Sequence, residues 1–228
     1  MMTVDENYRC TFDGGKLRPR TEWVRALGQV LVAGRNVVRY QLSGNRALFD
    51  IHACIYLWEH TDRIVVCDID GTVTRSDFLG YSAHLMGYEY THDGVTDVLN
   101  YLHEAGYKIL FLTARPITVA DRTRDLLQTV GSTARDDKSQ SFARFLGLHT
   151  SDTVLALPPG ALITTAERWI PAIALSLTPD GPQKFKTSVL HEIKDLFGSN
   201  NACFAGGFGN RATDSGAYRA TGMRCNLI

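Results

Sequence analysis

Two aspartates one residue apart follow directly on a short apolar run, and the segment Val65–Thr72 reads V-V-C-D-I-D-G-T. In a parallel α/β sheet such a run forms a strand, and ligands bind beyond the carboxyl ends of the strands, where both carboxylates would project. Asp and Gly are also ordinary turn residues after a strand. Because a turn does not need two acids and a hydroxyl in this order, the motif indicates chemistry.

The chemistry that suits this spacing is attack on a phosphate ester. Asp68 could attack phosphorus to form an aspartyl phosphate, while Asp70 could protonate the leaving oxygen and later activate water. Two carboxylates repel a phosphate dianion, so a divalent cation is required, and oxygen ligands favour Mg²⁺. The motif resembles that of haloacid dehalogenase-like phosphatases. This resemblance implies that Thr72 is a phosphate-binding residue in this chain.

Further groups that could bind phosphate follow along the chain. A second apolar run ends in Thr113 and Arg115, a hydroxyl that could hold a phosphoryl oxygen and a guanidinium that could bind or orient the phosphate. Lys186 opens a predicted helix and could neutralise phosphate charge. Each has a plainer interpretation. Thr113 could be a turn residue or helix cap, Arg115 could pair with a structural carboxylate such as Asp121, and a lone helical lysine is usually solvated.

A loop rich in glycine, Gly207–Asp214, follows the last apolar run and contains Asn210 and Asp214. These two side chains could complete a magnesium site together with Asp68 and the backbone carbonyl of Asp70. The alternative is a capped helix start. The four motifs occur in the order that the phosphatase interpretation expects, and this order favours catalysis.

The elements that would position these residues begin near residue 61, where short apolar runs alternate with amphipathic stretches, as is typical of a parallel α/β sheet. We predict strands at Ile64–Cys67, Ile109–Leu112, Val154–Leu157 and Cys203–Ala205. We predict helices around Val95–Leu102, Val119–Val130 and Phe185–Phe197, each followed by glycine. The polar stretch Arg135–Ser141 is interpreted as a surface insertion.

Residues 1–60 carry a β pattern instead. A short apolar run, Val30–Val32, is followed by two segments in which apolar residues alternate with period 2, Val38–Leu42 and Ile51–Leu57, with Gly and Asn between the segments. This predicts a small antiparallel sheet with one buried face. Three strands are few for an independent sandwich, so we expect a part of one. The predicted domains are therefore a β segment, 1–60, and a catalytic domain, 61–228.

The composition narrows the function classes. Lys and Arg together number 24, as do Asp and Glu, so no global field attracts nucleic acid or an anionic membrane, and anion binding must be local. The five cysteines lack CxxC spacing, which argues against a zinc site and a complete disulfide framework. No apolar run approaches the ~20 residues that span a bilayer. We expect a cytoplasmic protein, soluble or peripheral on a membrane, that does not bind nucleic acid.

The stretch from about Val65 to Gly222 resembles the catalytic region of the lipins, the phosphatidate phosphatases that release diacylglycerol. The resemblance lies in Asp68–Asp77, Tyr90–Gly94, Gly106–Lys108, Thr113–Pro116, Phe185–Lys186 and Phe208–Arg211. The front segments Gly34–Val38 and Ala53–Trp58 are similar to the β segment that precedes the lipin active site.

The resemblance implies an α/β, haloacid dehalogenase-like parallel-sheet domain preceded by a short antiparallel β segment. That segment is similar to part of an immunoglobulin-like sandwich whose remaining strands come from a separate N-terminal lipin-like region. The implied activity is Mg²⁺-dependent hydrolysis of phosphatidate at a membrane surface, with peripheral contact to endoplasmic reticulum-type membranes. A non-catalytic phosphatidate-binding module and a phosphatase for a soluble phosphate monoester remain alternatives. Because Asp68 and Asp70 are both present, phosphatidate hydrolysis is favoured over the non-catalytic binding module.

Overall fold

The computed structural model describes residues 2–4, 10–12, 19–40, 51–74, 92, 94–130, 156–165, 181–198 and 202–223. The chain divides into two compact units, Met1–Glu59 and His60–Ile228. None of the described helices has the length and apolar character needed to cross a bilayer.

The described residues of the first unit form two antiparallel strand pairs and one short helix. Strand β1 (Met2–Val4) pairs with β2 (Cys10–Phe12), and β3 (Gly34–Tyr40) pairs with β4 (Ile51–Leu57). Helix α1 (Thr21–Gly28) lies between the two pairs in sequence, and none of its residues is buried. Half-buried and exposed residues alternate along β3, so the period-2 pattern of this segment reflects a sheet with two unequal faces.

The predicted strand Val30–Val32 is wrong. The backbone amides of Val30 and Leu31 both donate to the carbonyl of Leu27, so these residues continue the turn that ends α1. Val32 exchanges two hydrogen bonds with the side chain of Asn36, at 2.9 and 2.7 Å. Its backbone groups are therefore bonded locally by an asparagine, which competes with strand pairing.

In the described part of the second unit, four parallel strands form one sheet in the order β7-β6-β5-β8. The strands are β5 (Ile64–Cys67), β6 (Lys108–Pro116), β7 (Gly160–Thr165) and β8 (Phe204–Phe208). The helices are α2 (Val95–Glu104), α3 (Ala120–Thr129), α4 (Gly181–Phe197) and α5 (Ala212–Ala220), and a single 3-10 turn at Ile117–Val119 precedes α3. The predicted α/β class, with antiparallel β structure ahead of a parallel sheet, is confirmed.

The core accounts for the unbroken apolar run of β5. All four of its residues are buried, because it lies between β6 and β8 and is covered on both faces. One face packs with α2 and α3 in a cluster that includes Val65, Ile109, Leu99 and Leu127. The alternate residues, such as Val66, are buried as well. The strand that leads into the two aspartates is thus buried along its whole length.

The third strand lies later in the chain than predicted. The described residues of the predicted strand Val154–Leu157 belong to no strand, and β7 is Gly160–Thr165. The Ala156 carbonyl accepts a hydrogen bond from the Asn100 side chain on α2, and Leu157 packs into the core cluster. This apolar run therefore contributes to the core without joining the hydrogen-bonded ladder. The predicted insertion Arg135–Ser141 lies outside the described residues.

Candidate active site

The carboxyl ends of three adjacent strands deliver the candidate residues to one edge of the sheet. Asp68 follows β5, Thr113 and Arg115 lie near the carboxyl end of β6, and the loop after β8 leads to Asp214 in the first turn of α5. Lys186 comes from α4. The strand register sets this arrangement, since Cys67 at the end of β5 is level with Phe111 in β6 and Phe208 in β8.

A buried lysine joins two buried carboxylates. The ammonium nitrogen of Lys186 lies 2.5 Å from Oδ1 of Asp68 and 2.6 Å from Oδ1 of Asp214. All three residues are at most 4% exposed. Lys186 is therefore not a solvated helix residue, which was the plainer interpretation of its place in the sequence. It is the cation around which Asp68 and Asp214 converge.

The electrostatics of this cluster favour additional positive charge. Burial raises the pKa of the Asp68 carboxyl to about 6, and the charges of Asp214 and Asp70 act in the same direction, against the attraction of Lys186. Burial also opposes the charge of Lys186, but the two carboxylates outweigh it and raise the pKa of the ammonium. Lys186 therefore remains protonated at neutral pH, yet one ammonium does not fully neutralise the carboxylates around it.

Asp70 belongs to a second group of contacts. Its Oδ1 accepts hydrogen bonds from Nη2 and Nε of Arg115 at 2.8 and 3.1 Å, and its Oδ2 accepts one from the Thr113 hydroxyl at 3.0 Å. The backbone amide of Arg115 in turn donates to the Thr113 hydroxyl oxygen. The strand end of β6 thus holds the second aspartate of the motif through both of its oxygens.

Arg115 pairs with Asp70 and not with the alternative carboxylate, Asp121, which contacts Arg124 on the surface of α3. A further contact was missed by the sequence analysis: Nη1 of Arg115 donates to the hydroxyl of Thr123 at 3.4 Å. Thr123 is fully buried on α3. No sequence pattern links a helical threonine with an arginine on the preceding strand, so only the packing of α3 against β6 reveals this pair.

Thr72 and the β8 loop complete the site. The Thr72 hydroxyl donates a hydrogen bond to Oδ2 of Asp68 at 3.4 Å, and Asn210 is exposed at the end of the loop.

Asp214 has two roles. Its Oδ2 accepts a hydrogen bond from the backbone amide of Arg211 and so caps α5, while its Oδ1 contacts Lys186. Gly209 permits the close approach, because a Cβ there would lie 2.5 Å from Cβ of Asp214. Helix capping and participation in the site are therefore compatible roles for Asp214.

The donor set suits a hard divalent cation. Among the described residues no group of three or more acidic, His or Cys side chains is arranged to hold a metal ion. A cation would instead be held by the Asp68 and Asp214 carboxylates with backbone carbonyl, amide and water oxygens, which is the kind of shell that Mg²⁺ accepts. The two carboxylates already converge on one cation, the Lys186 ammonium. The residues present fit such a metal.

Comparison with known proteins gives consistent matches over most of the chain. The family model LNS2 (Lipin/Ned1/Smp2) matches residues 16–228. Phosphatidate phosphatase LPIN1 of Homo sapiens is 33% identical over 174 residues, which is 76% of this chain and 17% of that protein. Phosphatidate phosphatase PAH1 of Arabidopsis thaliana is 32% identical over 207 residues, which is 90% of this chain and 20% of that protein. The chain thus spans about a fifth of the length of these curated relatives.

Similarity to solved structures is weaker. The cobalt-bound deoxy-D-mannose-octulosonate 8-phosphate phosphatase of Haemophilus influenzae has a TM-score of 0.37 and 14% sequence identity. The match covers 74% of this chain and 69% of that one. A similarity at this level carries no argument about the site.

Proposed function

Because the chain belongs to the LNS2 (Lipin/Ned1/Smp2) family, we propose that it is a Mg²⁺-dependent phosphatase that hydrolyses phosphatidate to diacylglycerol and phosphate. Relatives over most of its length are named phosphatidate phosphatases. The observation that carries the proposal is the buried Asp68–Lys186–Asp214 cluster, with Asp70 two residues beyond Asp68. A phosphatidate-binding module without activity would not need the two carboxylates of Asp68 and Asp70.

The first half of the proposed reaction transfers the phosphoryl group to the protein. A carboxylate oxygen of Asp68 attacks phosphorus, and the bond between phosphorus and the diacylglycerol oxygen breaks. Asp70, whose carboxylate pairs with Arg115, is protonated as the substrate binds and gives this proton to that oxygen, so diacylglycerol leaves as an alcohol. Lys186 keeps Asp68 ionised for the attack, since its ammonium contacts the carboxylate directly. The product of this half is an aspartyl phosphate.

The second half regenerates the carboxylate. Asp70, now ionised, takes a proton from a water molecule as the water oxygen attacks phosphorus. The bond between phosphorus and the Asp68 oxygen breaks, and inorganic phosphate leaves. Each aspartate thus returns to its starting protonation state, and one water is consumed for each ester bond.

The proposed magnesium ligands are the side chains of Asp68, Asn210 and Asp214 and the backbone carbonyl of Asp70. When bound, the ion supplies positive charge that offsets the repulsion between the carboxylates and a phosphate dianion. We propose Thr72, Thr113 and Lys186 as the phosphate-binding residues, whereas the guanidinium of Arg115, for which the sequence predicted the same role, is engaged by Asp70. Thr113 and Arg115 both donate hydrogen bonds to Asp70. To contact a phosphoryl oxygen, each would have to share its hydrogen bond between Asp70 and the phosphate or to break the bond to Asp70.

The proposed setting is the surface of an endoplasmic reticulum-type membrane facing the cytoplasm, where phosphatidate would be bound without a spanning segment. The β3–β4 pair is proposed to form part of an immunoglobulin-like sandwich completed by a further lipin-like β segment. Support for this comes from Val37 and Ile51, which are 61% and 57% exposed and lie on opposite faces of the pair. A two-stranded sheet that exposes apolar side chains on both faces is marginal by itself.

The decisive experiment measures phosphate release from phosphatidate and from glycerol 3-phosphate in mixed micelles, with Mg²⁺ or with EDTA. We expect Mg²⁺-dependent release from phosphatidate alone, with Asp68→Asn as the inactive control. Equal release from both substrates would identify a phosphatase for soluble monoesters. No release from either, together with retention on phosphatidate vesicles, would identify the binding module.

A further inference from the structure

We propose that Arg115 is a positioning residue for Asp70, anchored from behind by Thr123, and that phosphate binding is not its main contribution to the reaction. This inference rests on the proposed function, because it assumes that Asp70 is the general acid that Arg115 positions. Nothing in the two-aspartate motif itself specifies such a holder. It follows from the contacts at the end of β6.

The contacts form a chain from helix α3 to the reacting carboxyl. The Thr123 hydroxyl donates to the Val119 carbonyl at 2.9 Å and accepts from Nη1 of Arg115. The guanidinium then presents Nε and Nη2 to Asp70, with the shortest contact at 2.8 Å. The planar fork of an arginine fixes both the position and the plane of a carboxylate, which a lysine ammonium does not.

Burial makes this chain rigid. Arg115 is 3% exposed and Thr123 is 0% exposed, whereas Asp70 retains 16% exposure towards solvent. A buried guanidinium is costly unless its donors are paired, so Arg115 is held to the partners that surround it. The carboxyl of Asp70 is the more accessible end of the chain. It is therefore the group that can meet a substrate, while Arg115 acts through it.

The distinction from phosphate binding has a chemical consequence. Departure of diacylglycerol needs a proton, because an alkoxide is a poor leaving group, whereas nitrophenolate leaves as a stable anion. Replacing a residue that positions the acid should therefore slow hydrolysis of the alkyl ester, phosphatidate, more than that of the nitrophenyl ester. Replacing a residue that binds the phosphoryl group should slow hydrolysis of both esters equally.

The test compares kcat/KM for dioctanoyl phosphatidate and p-nitrophenyl phosphate in the parent and in Arg115→Lys. This parameter reports only steps up to phosphoryl transfer to Asp68, so slow hydrolysis of the intermediate does not obscure it. We expect the ratio of the alkyl to the aryl value to fall by about 10-fold or more, since a misplaced acid costs up to ~10²-fold. A parent without activity on either ester would instead overturn the proposed function.

Thr123 provides a second variant outside the site. Thr123→Val removes the hydroxyl at nearly constant shape, and the same ratio should fall by about 3-fold or more, whereas Thr123→Ser keeps the hydroxyl and should restore it. In an Asp70→Asn background, Arg115→Lys should have little further effect on the alkyl ester, because Arg115 acts through the missing acid.

Binding of tungstate, a phosphate analogue, by calorimetry in the presence of Mg²⁺ separates the two roles without turnover. We expect Arg115→Lys to bind tungstate as the parent does. Loss of tungstate affinity, with equal losses of kcat/KM on both esters and additivity with Asp70→Asn, would overturn the inference and make Arg115 a phosphate ligand.

Discussion

Single side chains decide the charge of this site. Asp68 is buried beside Lys186, and its pKa is nevertheless raised to about 6, since the loss of hydration is the largest effect on it. The site therefore holds a carboxylate that is reactive when ionised and costly to keep ionised. The ammonium of Lys186 makes that state attainable, because it contacts Asp68 and Asp214 together.

Replacing Asp68 by Asn should abolish phosphate release while leaving the fold intact. The amide cannot form the acyl phosphate, but it fits the same space and removes a charge that burial disfavours. The measurements are phosphate release in micelles and the unfolding temperature by circular dichroism. Near-normal turnover would contradict the role of Asp68 as the nucleophile. A large fall in unfolding temperature would contradict the view that burial disfavours the charge of Asp68.

Removing the central cation should be structurally expensive. Lys186→Met leaves two buried carboxylates facing one another without a counter-ion, and breaking a buried pair in this way typically costs ~3–5 kcal/mol. Urea unfolding in EDTA measures the change in the free energy of unfolding. Lys184→Met, two residues earlier at an exposed position of the same helix, is the matched control and should change little. Equal effects of both variants would mean that Lys186 does not hold the cluster together.

At the scale of elements, the site exists because three strand ends and one helix meet. The β8 loop shows how closely they fit, since Asp214 must cap α5 and face Lys186 at the same time. Gly209 leaves just enough room for this, as the backbone passes directly against Asp214.

Gly209→Ala should therefore disturb the proposed metal site. The added Cβ would lie 2.5 Å from Cβ of Asp214, so that side chain or the loop must shift. We expect the Mg²⁺ concentration for half-maximal activity to rise by about 10-fold, with a similar effect for Asp214→Ala. Gly28→Ala is the control, because a Cβ there meets nothing within 4 Å. Superimposable magnesium titrations for Gly209→Ala and the parent would show that the loop serves only as a helix cap.

At the scale of the whole molecule, equal numbers of acidic and basic residues leave no net charge to attract a phosphate. Attraction must come from local positive charge. At the edge of the sheet in the second unit, Lys186 and Arg115 face three carboxylates, those of Asp68, Asp70 and Asp214. The proposed metal would supply the missing positive charge, and it would bind only the folded chain.

Magnesium should therefore stabilise the protein against heat. A ligand present at a hundredfold excess over its dissociation constant adds ~2.7 kcal/mol to the free energy of unfolding. Scanning calorimetry with increasing MgCl₂ should show a rising unfolding temperature for the parent and a much smaller rise for Asp214→Ala. The same rise in both proteins, or none in the parent, would contradict a metal site that includes Asp214.

The sequence by itself determined the strand Ile64–Cys67, the strand Ile51–Leu57 and the order of the chemical groups along the chain. An unbroken apolar run before two aspartates indicates a central parallel strand, because a strand between two neighbours is buried on both faces. The helices ahead of their glycine stops were predicted to within a few residues, since a 3.6-residue period is a local property. The β segment was predicted only in part, because Asn36 bonds Val32 locally.

Only the tertiary structure decided which side chains contact one another. The position of β7 depended on the packing of Leu157 and on the contact between Asn100 and Ala156, which no local pattern encodes. The sequence alone shows Lys186 as an ordinary helical lysine, whereas in the structure it contacts one carboxylate that follows β5 and another in the first turn of α5. Arg115 was expected at phosphate and lies against Asp70, with Thr123 behind it. These pairs join residues that are distant in sequence, and their energies depend on burial and distance, which are set only when the sheet and its helices have packed.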